Sequence, residues 1–152
     1  LKHGMKSICY RPFSGYGEDQ DLSYPIPAIA KRAAQKEDPF EVWGTGHQGR
    51  DFVHIEDVID CILLAMDKIS DGTAINIGMG RLTTFRDIIN VFCKFAGYKP
   101  TIKTLLDKPV GVHSRYCDMQ YVKNELNWEA KISLEEGLKR VYDRAIADLD
   151  KK

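Results

Sequence analysis

The chain has 152 residues, 43% hydrophobic and 29% charged, with 22 lysines and arginines against 22 aspartates and glutamates. That length and composition predict one soluble globular domain with a real core, and the charge balance lacks the basic excess of a dedicated nucleic-acid binder. No apolar run reaches the length of a membrane span and no signal-peptide pattern precedes the first predicted strand, so the expectation is a cytoplasmic protein without nucleic-acid or membrane partners. Cys9, Cys61, Cys93 and Cys117 form no C-x-x-C pair and sit inside apolar patterns, which predicts reduced, buried thiols. Their spacing against the scattered histidines does not suit zinc.

Residues 6–13 read as a strand, closed by the turn Ser14-Gly-Tyr-Gly17. Residues 24–36 read as a helix with Pro25 and Pro27 in its first turn, where missing N–H groups cost little. Residues 40–43, the glycines 44, 46 and 49, and the alternating residues 50–55 predict a hairpin: strand, glycine turn, half-buried strand. Asp57 is then placed to cap a helix with Val58, Cys61, Ile62, Ala65, Met66 and Ile69 on one face. Asp71-Gly72 reads as a turn and residues 73–77 as a strand ended by Gly78-Met-Gly80. Thr84-Phe-Arg-Asp87 is a capping-box variant for a third helix, with Gly97 past its end. An exposed strand at 101–105 follows, then a loop, a short helix at 119–126 ended by Asn127, and a last helix opened by Ser133-Leu-Glu-Glu136. Strands alternating with helices predict an α/β fold in a single domain over 1–152.

Gly44-Thr-Gly-His-Gln-Gly49 spells G-x-G-x-x-G. A dinucleotide fingerprint needs a helix directly after it, and here a strand-like segment follows, so that reading is set aside. Arg50 leaves the glycine turn, and Arg115 lies in a loop three residues before Asp118. Brought together, the two guanidinium groups would clamp a diphosphate and Asp118 would accept hydrogen bonds from ribose hydroxyls. The plain alternative is a surface ion pair for each arginine and a helix cap for Asp118. Trp43 either stacks on a ligand base or packs in the core. His54 reads as a structural histidine and His47 as a solvated turn residue. Ser14 and Tyr16 follow the first strand, where α/β proteins gather ligand-contacting groups. Without G-x-S-x-G or H-E-x-x-H, hydrolase chemistry has little support.

Arg11-Pro-Phe-Ser-Gly-Tyr-Gly17 resembles the R-x-F-N-x-Y-G segment of the extended short-chain dehydrogenase/reductases that act on nucleotide sugars. Residues 42–58 resemble their V-x-G-x-G-x-Q-x-R-D-F-V-H-V-x-D-V segment, and Ile75-Asn-Ile-Gly-Met-Gly80 their N-I-G-x-G. Arg115-Tyr-Cys-Asp118 matches R-x-x-D, and residues 126–138 match L-G-W-x-P-x-x-S-L-E-E-G-L. Order and spacing run through nearly the whole chain.

The resemblance implies a role for each matching position. Arg50 and Arg115 contact the nucleotide diphosphate, and Asp118 the ribose. Glu41 to Trp43 lies against the base, partly through its backbone. Ser14, where the family has asparagine, touches the sugar diphosphate, and the Pro12 backbone lies beside the nicotinamide of NAD. The family's N-terminal glycine fingerprint and its Tyr-x-x-x-Lys pair have no counterpart here: no tyrosine has lysine four residues on. The expectation is therefore the C-terminal portion of such an enzyme, a substrate subdomain plus the last Rossmann strands at 6–13 and 73–77. Such a piece would keep nucleotide-sugar-binding elements, carry no catalytic residue, and bind NAD only once completed. The expected partners are a nucleotide sugar and either a second copy or the missing half; the alternative is a non-catalytic interaction module.

Overall fold

The computed structural model describes residues 2–151. Two apolar clusters make the core, and one three-residue strand serves both. That strand is β5 of the series below, Phe52–His54, buried at every position. Because side chains alternate across a strand, Phe52 enters the first cluster and Val53 the second.

The first cluster is helical on one side. Helices α1 (Pro25–Ala34), α3 (Phe85–Phe95) and α5 (Leu134–Asp150) each turn an apolar stripe inward. Ile26, Ile29, Ala30 and Ala33 meet Ile88, Ile89 and Phe92, and Tyr142 of α5 stacks on Phe92 at 6.4 Å. Strand β3 (Phe40–Trp43) adds Phe40 and Val42 and runs parallel to β8 (Ile102–Leu105). Strand β2 (Ser14–Tyr16) pairs parallel with β5.

The second cluster is a parallel strand pair with helices packed against it. Strand β1 (Ser7–Pro12) pairs with β6 (Asp71–Ile77), bringing the two predicted Rossmann strands together with a register irregularity between Ser7 and Cys9. Helix α2 (Ile55–Lys68) contributes Val58, Cys61 and Ala65, and α4 (Gln120–Leu126) contributes Val122 and Leu126. A small third sheet holds β4 (Gly49–Arg50) between β7 (Thr83–Thr84), antiparallel, and β9 (Ser114–Arg115), parallel. No described helix is long and apolar enough to cross a membrane.

Several caps fall where the sequence places them. Thr84 and Asp87 form the capping box, the Ser133 hydroxyl accepts from the Glu136 amide at 3.2 Å, and Gly97 and Asn127 take left-handed conformations. Other expectations are corrected. The predicted hairpin does not form: β3 spends its hydrogen bonds on β8, and the glycine turn leads to a different sheet. The strand predicted over 50–55 is split at Asp51, whose carboxylate is buried and bonded elsewhere. Helix α2 is capped by His54, whose Nδ1 accepts from the Glu56 amide at 3.3 Å. Asp57 instead lies buried in the first turn and accepts from the amides of Lys131 (2.9 Å) and Ile132 (3.0 Å). Asp71 and Gly72 belong to β6 rather than to a turn. Met66 faces solvent, off the expected stripe, and Cys9 is exposed because it lies on the outer face of β1.

Candidate functional site

The site is built from the end of β3 and the turn that follows it. Gly44 reverses the chain at φ +64, and its amide donates to the Leu105 carbonyl at 2.8 Å. Buried Gln48 donates to the Trp43 carbonyl at 2.7 Å, and Arg86 Nε donates to the Thr45 carbonyl at 2.7 Å, so the turn is held from both sides. The chain then enters β4, where Arg50 lies in register with Arg115 of β9.

Neither guanidinium is paired with a carboxylate among the described residues. Arg50 Nη1 donates to the Gly49 carbonyl at 2.7 Å, and Arg115 stands 5.9 Å over the Phe13 ring. The surface ion pairs of the plain alternative are therefore not formed among the described residues. Two unneutralised guanidinium groups on neighbouring strands make a local positive patch suited to phosphate oxygens.

Arg50 opens onto a cleft of about 680 Å³ that Ser14, Glu41 and Trp43 also line. Its floor is apolar, from Ile26, Ile29, Phe52 and Ile89, and Pro109 and Val110 stand on its rim. Trp43 is 55% exposed, so it is a rim residue and not part of the core. Glu41 presents little charge: its carboxylate takes Lys103 at 2.8 Å and its carbonyl takes Arg32 at 2.8 Å. Arg32 is clamped by Glu37 at 2.8 and 2.6 Å, and this contact holds the Glu37 carboxyl below its ordinary range. Pocket-facing Arg32 thus fixes the base of β3.

The remaining predicted site residues lie outside the cleft. Arg115 borders Arg50 without lining the cavity. Asp118 is exposed, and its Oδ1 accepts from the Gln120 amide at 2.8 Å while its carbonyl takes Asn76 at 3.2 Å. The N-cap of α4 is Met119, so Asp118 caps from one position further back. Pro12 ends β1 opposite Ile77, away from the cleft lining. His54 is fully buried and bonded to Glu18 at 3.1 Å, as a structural histidine should be. Sequence reasoning missed Arg32, Gln48 and Asp51. Gln48 and Asp51 carried a signal, since both fall on lettered positions of the Q-x-R-D-F segment that residues 42–58 resemble; Arg32 carried none.

Asp51 is 0% exposed. Its Oδ1 accepts from the Met79 amide at 2.8 Å, and its Oδ2 from the Gly80 amide at 2.9 Å, the Cys117 amide at 3.2 Å and the Cys117 thiol at 3.0 Å. Burial first, and this bond second, push the Cys117 thiol up to about 12. A side chain at Gly78 would collide with Cys117 Sγ and the Asp51 carboxylate, so only glycine fits there.

The glycine turn does not fit a dinucleotide. A Cβ at Gly46 would lie 2.9 Å from side-chain carbons of Arg86 and Val42, and one at Gly49 would lie 2.9 Å from Leu82 and the Thr83 carbonyl. These glycines admit the protein's own atoms, and a strand, not a helix N-terminus, follows them.

Comparison with known proteins agrees with this architecture. A sequence profile described as the NAD dependent epimerase/dehydratase family matches residues 1–78. GDP-L-fucose synthase 1 of Arabidopsis thaliana is 28% identical over 94% of this chain and 46% of its own length. GDP-L-fucose synthase of Escherichia coli is 30% identical over 97% of this chain and 49% of its own. Among solved structures, UDP-glucose 4-epimerase of Thermotoga maritima with UDP-glucose superposes with a TM-score of 0.85 at 31% identity, covering 97% of this chain and 48% of that one. UDP-glucuronic acid 4-epimerase of Bacillus cereus, in complex with UDP-glucuronic acid and NAD, gives 0.82 at 28% identity, over 93% and 45%. The chain spans about half the length of the curated relatives it matches. Its α/β fold is that of a partial extended short-chain dehydrogenase/reductase, and the chain belongs to the NAD dependent epimerase/dehydratase family.

Proposed function

We propose that this chain is the nucleotide-sugar-binding portion of an epimerase or dehydratase of that family. The observation that carries the reading is the in-register pair Arg50 and Arg115, unpaired with any described carboxylate, with Arg50 opening onto an apolar cleft rimmed by Trp43. The arginines take the diphosphate, Trp43 and β3 border the base, and Ser14 and Asp118 reach the sugars. The relatives act on or bind sugars carried by GDP and by UDP, so the base is an experimental question. NAD supplies hydride chemistry when a family member holds it; the glycine turn present here does not fit its pyrophosphate. In this proposal no residue within 1–152 is catalytic.

The test is a thermal-shift panel with UDP, GDP, dTDP and CDP sugars on the wild type and on Arg50→Ala. A ligand at about a hundred times its Kd stabilises the fold by roughly 2.7 kcal/mol. A shift with one nucleotide that is lost in Arg50→Ala supports the reading and names the base. No shift with any of the four rejects it.

A second reading, completion of this chain by the other half of a family-length protein, is favoured by helix α2. Ile55, Ile59, Leu63 and Met66 are 43%, 48%, 59% and 60% exposed along one face, while Val58, Cys61 and Ala65 are buried on another. A helix apolar on so much of its circumference is built to be covered twice. Strand β1 has β6 as its one described neighbour, and two-stranded sheets are marginal alone. A native species in which a dinucleotide-binding half covers this face, disrupted by Ile59→Lys with Leu63→Lys, supports the reading. A monodisperse wild-type monomer that binds no hydrophobic dye rejects it.

A further inference from the structure

Asp51 joins four segments that are far apart in the chain, three of them through its buried carboxylate and one through its backbone. It is covalently next to Arg50. Its backbone carbonyl accepts from the Ser14 amide at 2.9 Å. One carboxylate oxygen holds the Met79 amide at 2.8 Å, just past the end of β6. The other holds the Gly80 amide, the Cys117 amide and the Cys117 thiol, and Cys117 lies two residues after Arg115 and one before Asp118. The side chain therefore ties the strand of Arg50 to the turn after β6 and to the segment of Arg115 and Asp118, while Ser14 is held by the Asp51 backbone.

The energetics are unusual for a structural aspartate. A fully buried carboxylate is costly unless its oxygens are satisfied. Here no lysine, arginine or histidine pairs with it among the described residues; three backbone amides and a thiol satisfy it instead. Hydrogen bonds to an ionised acceptor are shorter and stronger than neutral ones. The fold thus buries a carboxylate next in sequence to Arg50, bonded two residues from Arg115, and pairs it with neither guanidinium among the described residues.

We propose that Asp51 is a positioning residue for anion binding. It locks the Cys117 segment against β4, so that the Arg115 and Arg50 guanidinium groups are held in register before a diphosphate arrives. The advantage is preorganisation: a ligand that finds both forks already placed pays no ordering cost for the 114–118 loop, which is otherwise largely exposed. The inference rests on the nucleotide-sugar reading above, and it adds a residue that never touches the ligand.

The experiment is a double-mutant cycle read by calorimetric titration with UDP and with GDP, below the melting transition of every variant. Asp51→Asn keeps the shape but must present its amide group to at least one of the held N–H groups. It is expected to weaken binding about tenfold or more, the loss of one charged hydrogen bond's worth of placement. In an Arg115→Ala background the same substitution is expected to change affinity less than about twofold, because the group it positions is gone. Amide exchange at Met79, Gly80 and Cys117 should quicken in Asp51→Asn with or without nucleotide. Should Asp51→Asn fail to fold, Cys117→Ala keeps the carboxylate and removes the thiol's hold, and the same coupling to Arg115→Ala is expected. A merely structural Asp51 would lower the melting temperature and leave the affinity of the folded protein unchanged, which overturns the proposal. Equal losses in both backgrounds also overturn it. A wild type that binds neither nucleotide rejects the nucleotide-sugar reading itself, a result distinct from a wild type that binds and a variant that binds equally well.

Discussion

Arg50 and Arg115 occupy the same register position on two neighbouring parallel strands. Adjacent strands lie about 4.8 Å apart, and like charges directly opposite one another destabilise a pair. Their juxtaposition costs the ligand-free fold stability, and a diphosphate would turn that cost into binding. Arg115→Ala or Arg50→Ala should raise ligand-free stability by about 0.2–1 kcal/mol. Each should also weaken nucleotide binding by about 1.5–3 kcal/mol, the worth of hydrogen bonds to a charged group. Melting without ligand and titration with ligand read the two signs separately. If both quantities fall together, the pair is structural and not a clamp.

Trp43 gives the site its own reporter. It is 55% exposed on the cleft rim, while Trp128 is 4% exposed in the second cluster. Acrylamide should quench one emission component readily and the other poorly. A bound nucleotide should protect the accessible component, and Trp43→Ala should remove that component and weaken binding. Aromatic stacking on a base is worth about 1–3 kcal/mol by alanine substitution. Unchanged affinity in Trp43→Ala would move the base elsewhere in the cleft.

Much of this architecture was legible because it is local. The capping box at Thr84 and Asp87, the Ser133 cap, and the left-handed Gly97 and Asn127 depend on neighbours three or four residues away. Family-like spacing supplied what locality could not: that Ser14, Glu41, Trp43 and Arg50 converge, which they do on one cleft. The hairpin does not form because adjacency in sequence does not dictate pairing: β3 pairs with a strand some sixty residues later. Asp51 and Asp57 depart from their patterns for a shared reason. Polar side chains in strand or helix patterns read as solvent-facing, and both are buried here with amide partners from the long range. No periodicity reports where a hydrogen-bond partner sits.

Gly137 reverses the usual rule for glycine in a helix. Glycine in a helix interior costs roughly 0.5–1 kcal/mol relative to alanine, so Gly→Ala normally stabilises. In α5 a Cβ at this position would collide with the Tyr16 hydroxyl and lie 3.1 Å from His54 Cδ2. Both partners are buried, and overpacking of that kind costs about 1–3 kcal/mol. Gly137→Ala should therefore lower the melting temperature. Tyr16→Phe removes the obstructing oxygen, which has no hydrogen-bond partner among the described residues. It should be near neutral alone and should restore much of the loss in combination. A stabilised Gly137→Ala would mean that Tyr16 yields without cost.

The thiols make a prediction about alkali. Burial pushes Cys61 up to about 11 and Cys117 up to about 12 from an ordinary value of 9.0, with the Asp51 bond adding to the Cys117 shift. Between the ordinary and the raised values the unfolded chain has released protons that the native state still holds. The unfolded state then binds fewer protons, so stability falls as pH rises. These groups contribute nothing to the slope below about pH 8, lose stability from about pH 9 upward, and level off only above the raised values. Cys61→Ala and Cys117→Ala should each flatten the alkaline limb of a melting-temperature profile, whatever they cost at neutral pH. At pH 8 a thiol-reactive dye should label exposed Cys9 rapidly and buried Cys61, Cys93 and Cys117 only on unfolding. Rapid native labelling of Cys117 would contradict both its burial and its bond to Asp51, and with them the arrangement that holds Arg115 beside Arg50.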